Sequence, residues 1–186
     1  PLQWRLVILL WGKAIERQIM LTEAAKGVYT IAVTPFLPNG AIDFDSVDRV
    51  VDFYIEQGAT GLTILGMMGE AGKLSAEESM RVVNRVIARS SVPVVVGVSA
   101  PGYAAMESLS KSSMDAGAAG VMVAPTTNLR SDDQIIGYYH GVANILGATP
   151  FVLQDFLLAT SVTIATKVIQ QIIDDCPTCV MLKHED

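Results

Sequence analysis

Histidine and cysteine are scarce in this 186-residue chain, which has two of each. His140 and His184 leave little material for a metal centre. Cys176 and Cys179 form one Cys-Pro-Thr-Cys pair, with no second pair to complete a zinc site. In redox proteins such a pair opens a helix, whose dipole lowers the thiol pKa. Here it follows a helical stretch, Ile169 to Asp175, and leads into a strand. We expect neither a metal nor a redox role, and a reducing, cytoplasmic setting. Clustered Lys and Arg are also missing, and the net charge is −6. That excludes nucleic acid as an expected partner, because phosphates demand basic clusters. The apolar run Leu6 to Trp11 is far short of the roughly 20 residues that span a bilayer, so no membrane is expected. The sequence after it, Gly12 to Arg17, does not resemble a signal-peptide cleavage site. The first residue is Pro1 and Met20 precedes the first well-patterned segment. Residues 1–26 therefore read as an N-terminal extension or leading helix, with 1–19 upstream of a natural start or ill-matched to the rest.

What the chain has is hydrophobic content, 51% of it, arranged in two alternating textures. Val28–Val33, Leu62–Leu65, Val94–Val98, Gly120–Val123, Phe151–Leu153 and the stretch after Cys179 read as short buried strands. Between them lie amphipathic segments. Val47, Val50, Val51, Tyr54 and Ile55 recur at helical spacing behind Asp43, a capping residue, and Gly58 ends that helix. Ser75 with Glu78 forms a capping box ahead of Val82, Val83, Val86 and Ile87. Further helices are predicted over about 104–116, after Ser131, and over about 162–174.

The period is roughly 30 residues, the length of a βαβ unit. No linker or second domain interrupts residues 27–186. Alternation with continuously apolar strands implies a parallel sheet, either doubly wound or a (β/α)8 barrel. The first strand lacks the Gly-x-Gly-x-x-Gly turn of a dinucleotide site, which counts against the doubly wound form. Unusual polar residues follow several strands instead: Thr34, Gly66–Glu70, Thr126–Asn128, Gln154–Asp155 and Lys183. A barrel gathers strand ends into one mouth, so this scatter becomes one pocket. The expected fold is an incomplete (β/α)8 barrel with about six of eight units.

Lys183 stands where the last apolar stretch runs out. A lysine there is solvated, paired or partly deprotonated, since a buried ammonium is costly. Deprotonated, it can form a Schiff base with a carbonyl. The Gly66–Glu70 turn is glycine-flanked, so its backbone N–H groups can meet an anion such as a carboxylate. It reads equally as a simple tight turn. Thr34 reads as a positioning residue near the barrel floor, or as a strand stop.

Taken together, Gly27-Val28-Tyr29-Thr30 through Thr34-Pro35-Phe36, Gly66-Met67-Met68-Gly69-Glu70, Val96-Gly97-Val98, Ala124-Pro125 and Leu182-Lys183 resemble the class I aldolase family of dihydrodipicolinate synthase and N-acetylneuraminate lyase. That resemblance implies a (β/α)8 barrel in which Lys183 forms an imine with pyruvate or another 2-oxo acid, without a cofactor. Carbon–carbon bond making or breaking, or loss of water, follows. It also implies a homo-oligomer, dimer or tetramer. The resemblance further assigns Gly66, Met67, Met68, Gly69, Thr34 and Thr127 to the substrate's surroundings.

Departures from the family pattern carry expectations too. Met67 and Met68 replace two hydroxyl residues, giving a softer and less polar wall. Thr126-Thr127 stand in place of a tyrosine pair, and Gln154 replaces the proton-relaying tyrosine of the fifth strand. An amide cannot relay protons as a phenol does. Asp155 is the nearest ionisable replacement as acid/base, and Gln154 reads as a hydrogen-bonding partner for substrate hydroxyls. A 2-oxo sugar acid or hydroxy-oxo acid suits this pocket better than aspartate semialdehyde. Glu70, His184 and Glu185 read as solvated or structural. The alternative is a catalytically silent barrel, or a fragment, that binds a small carboxylate without turnover.

Overall fold

The computed structural model describes residues 20–185. Six strands, β1 (Tyr29–Ile31), β2 (Gly61–Ile64), β3 (Val94–Gly97), β4 (Gly120–Val123), β5 (Phe151–Phe156) and β6 (Cys179–Glu185), make one sheet in the order of the sequence. Each pairs in parallel with the next. The helices between them are α1 (Phe44–Glu56), α2 (Ala76–Arg89), α3 (Tyr103–Ala116), α4 (Asp132–Leu146), the short α5 (Leu157–Thr160) and α6 (Thr166–Asp175).

The helix ends follow from local chemistry. Asp43 accepts the Ser46 N–H at the start of α1. At α2 the capping box is complete, with Ser75 and Glu78 each bonded to the other's backbone N–H. Ser131 caps α4 through the Gln134 N–H, while the Gln134 side chain turns back to the Arg130 N–H rather than closing a box. The helix expected over 162–174 is shorter at its front. Ser161 has a left-handed φ of 56°, and residues 161–165 lie between α5 and α6.

The sheet's two faces differ. Leu62, Ile64, Val94, Val96, Val121, Val123, Phe151 and Leu153 point into one large core shared with the helices, around Val51, Val83, Met106, Tyr139 and Ile172. The intervening residues Val95, Met122 and Val152 form a second, small cluster with Leu21 and the partly buried Tyr29 and Met181. Helices thus cover only one face, and consecutive helices pack side by side. A doubly wound sheet would carry them on both. Both faces of β2 to β4 are buried, which explains why their sequences show no polar alternation.

Leu21 is buried at the N-terminal ends of the strands, where its N–H donates to the Ala119 carbonyl at 2.7 Å. Within the 1–26 segment, residues 20–26 accordingly approach the lower end of the inner face; residues 1–19 lie outside the described residues. The two cysteines are free and buried. Burial raises both thiols above their ordinary value, Cys179 to about 11. No described helix is long and apolar enough to cross a membrane.

Candidate active site

At the C-terminal ends of the strands a cavity of about 350 Å³ opens on the inner face. Its wall takes Gly66, Met67 and Glu70 from the turn after β2, Gly97 from β3, Met122 from β4 and Gln154 from β5. The turn is built under strain. Leu65 and Glu70, which bracket it, both adopt left-handed φ values, 53° and 56°. Such residues cost roughly 1–3 kcal/mol each and persist only where neighbours hold them. Gly97 allows the first: a Cβ there would meet the Leu65 carbonyl oxygen at 2.2 Å. Thr34 fixes the other end by donating its hydroxyl to the Gly69 carbonyl at 2.7 Å. Thr34 is therefore at the upper, C-terminal end of the strands rather than near the floor, which Leu21 occupies.

Within the turn, Glu70 N–H bonds to the Met67 carbonyl and Ala71 N–H to that of Gly66. The N–H groups of Met67 and Met68 have no protein partner among the described residues. Both methionine side chains are exposed, at 39% and 60%, and of the two only Met67 reaches the cavity wall. Glu70 pairs with Lys73. Thr127 does not join this cavity. It lines an adjoining one of about 410 Å³ that shares Ser99 and Ala124 with the first, and its carbonyl accepts from Arg130.

Lys183 is inside β6, not at its end. The ladder to β5 continues through Gln154↔Lys183, Asp155↔His184 and Phe156↔Glu185. Its face is decided by a bulge. Phe151 pairs with Cys179, but Val152 pairs with Met181, so Val180 is an extra residue. Cys179 faces the helix core; strict alternation from it would send Lys183 the same way. The bulge reverses the phase, and Lys183 lies beside Gln154 on the inner face.

Lys183 and Glu185 form an ion pair, with side chains 24% and 32% exposed. The same Glu185 Oε1 accepts from Gln154 Nε2 at 2.8 Å. Burial pushes the Glu185 carboxyl up, but the hydrogen bonds from Lys183 and Gln154 and the lysine charge outweigh it, leaving the carboxyl below its ordinary value. Asp155 is on the opposite face of the sheet. It is buried and bonded to His184 Nδ1 at 2.8 Å. Of the residues singled out in the sequence, Gly66, Met67, Gln154 and Lys183 thus share the inner face near the cavity. Thr34 and Gly69 brace it, while Asp155 and Thr127 stand apart. Glu185, which the sequence reads as solvated or structural, joins Gln154 and Lys183; its place two residues beyond Lys183, hence on the same side of a strand, is the signal for it.

Residues 24–185 match the family described as the dihydrodipicolinate synthetase family. The chain belongs to that family. It is 35% identical over 161 residues to the 4-hydroxy-tetrahydrodipicolinate synthase of Sorangium cellulosum (strain So ce56), covering 84% of this chain and 53% of that protein. The crystal structure of dihydrodipicolinate synthase from Rhodopseudomonas palustris matches with a TM-score of 0.87 at 52% identity, over 90% of this chain and 56% of that one. YagE, a prophage protein of the family from E. coli K12 solved in complex with pyruvate, gives a TM-score of 0.80 at 25% identity, over 87% of this chain and 55% of that one. The chain spans about half the length of the relatives it matches. Its six strands are an incomplete (β/α)8 barrel, so the inner face is the barrel interior.

Proposed function

We propose that the protein carrying these residues is a Schiff-base-forming lyase acting on pyruvate or a related 2-oxo acid. Lys183 is the nucleophile: its amine attacks the keto carbon, and the resulting imine draws electrons from the adjacent carbon. The observation that carries this reading is the placement of Lys183 on the interior face, in register with Gln154 of the cavity wall. Membership of the family supports it, as does the pyruvate bound to YagE. The N–H groups of Met67 and Met68, without a protein partner among the described residues, suit a substrate carboxylate, because the backbone supplies them whatever the side chain. Gln154, 4% exposed, offers an amide for a substrate hydroxyl. That amide suits a 2-oxo sugar acid or hydroxy-oxo acid, while Met67 and Met122 supply apolar contacts of the wall. A cytoplasmic homo-oligomer, dimer or tetramer, completes the proposal.

Borohydride reduction of the full-length natural protein with pyruvate tests the reading. The expected result is one reduced adduct, located by mass at Lys183 and abolished in Lys183→Ala. Failure to label with any of several 2-oxo acids overturns it, and ligand-dependent melting without an adduct would mark a silent carboxylate binder.

A further inference from the structure

The tyrosine relay expected beside the imine is replaced by Gln154, which has no proton to exchange at ordinary pH. The structure sets a different group against Lys183. We propose that Glu185 carries the protons of imine formation, taking one from the Lys183 ammonium and delivering it to the departing oxygen of the carbinolamine. This inference rests on the Schiff-base reading above.

Three observations carry it. Lys183 and Glu185 are on one side of β6 and joined by an ion pair. Gln154 Nε2 donates to the same Oε1 at 2.8 Å, which fixes the carboxylate from the neighbouring strand. Other charged groups nearby are committed elsewhere. Asp155 and His184 bond to each other on the opposite face, and Glu70 and Lys73 pair after β2. On the inner side of β4, next beyond β5, Met122 and Ala124 carry no charge.

The steps balance. The Glu185 carboxylate takes one proton from the ammonium, leaving a free amine. The amine lone pair forms the C–N bond while the C=O π pair moves to oxygen. A proton then passes from nitrogen to that oxygen, giving the neutral carbinolamine. Glu185 returns its proton to the hydroxyl, the C–O bond breaks with its electrons leaving as water, and the nitrogen lone pair closes C=N. Ketone and ammonium become iminium and water, and Glu185 ends as it began.

The experiment measures the rate of borohydride trapping with pyruvate across the neutral range in the full-length natural protein. Because the proton shifts within the pair, the wild-type rate is expected to be flat across the neutral range. Glu185→Gln should trap about a hundredfold slower, within the usual range for lost acid–base catalysis. Its rate should rise with hydroxide, with little change in the pyruvate concentration giving half-saturation. Glu185→Asp should keep the flat profile, and formate should speed Glu185→Ala but not wild type. A Glu185→Gln variant that traps at the wild-type rate with a flat profile overturns the proposal and leaves the Schiff-base reading intact. Should the variants lose cooperative melting, the wild-type profile decides: a rate proportional to hydroxide overturns it. A wild-type protein that never labels overturns both readings, before any variant is made.

Discussion

Thr34 donates its hydroxyl proton to the Gly69 carbonyl in a buried setting, and through that bond a strand end holds the turn beside the cavity. Thr34→Val keeps the shape but leaves the carbonyl unpaired, so a loss of roughly 1–3 kcal/mol is expected in urea unfolding. Thr34→Ser should recover most of it. At this scale the sequence was only partly legible. Thr34, Gly66 and Lys183 stood out because a polar or flexible residue at the end of an apolar run needs a reason. Asp155 stood out for the same cause and is on the other side of the sheet. The two faces could not be told apart because both are apolar: Val152 and Leu153 look alike in sequence, yet one faces the interior and the other the helices.

Helix boundaries were the most legible elements, since caps are local chemistry. Asp43 and the Ser75–Glu78 box do in the structure what their spacing promised. Ser75→Ala is expected to cost about 0.5–2 kcal/mol by chemical denaturation. Arg89→Ala should leave the urea midpoint unchanged within the error of the measurement, although Arg89 pairs with Asp52 across α1 and α2, because that pair is open to solvent. The bulge in β6 was not legible at all. Cys-Val-Met-Leu-Lys carries no glycine or polar marker at Val180. Only the demand that β6 fit β5 shows which residue is extra. The most consequential feature of the element, the side on which the amine stands, was therefore beyond a reading of propensity.

For the whole molecule, six units and their order could be read from the 30-residue period, because each unit is a local pattern. Which edges meet which neighbours could not. Among the described residues β1 and β6 each pair on one side only. Apolar side chains stand exposed on or beside both edge strands: Val28 and Val33 flank β1, and Leu182 is on β6. Unpaired backbone with apolar neighbours invites association. Residues 20–185 expressed alone should sediment as a concentration-dependent mixture, and a monomer that melts cooperatively would contradict this.

The strand order has one more consequence. Every strand joins a neighbour already made, and none must be threaded between two that are waiting. A polypeptide leaving the ribosome can therefore add each βα unit to a finished rim. Lys183 of β6 can take its place beside Gln154 only after the strands that line the cavity, β2 to β5, have been laid down, so a nascent chain cannot present that amine to the interior until the wall behind it exists.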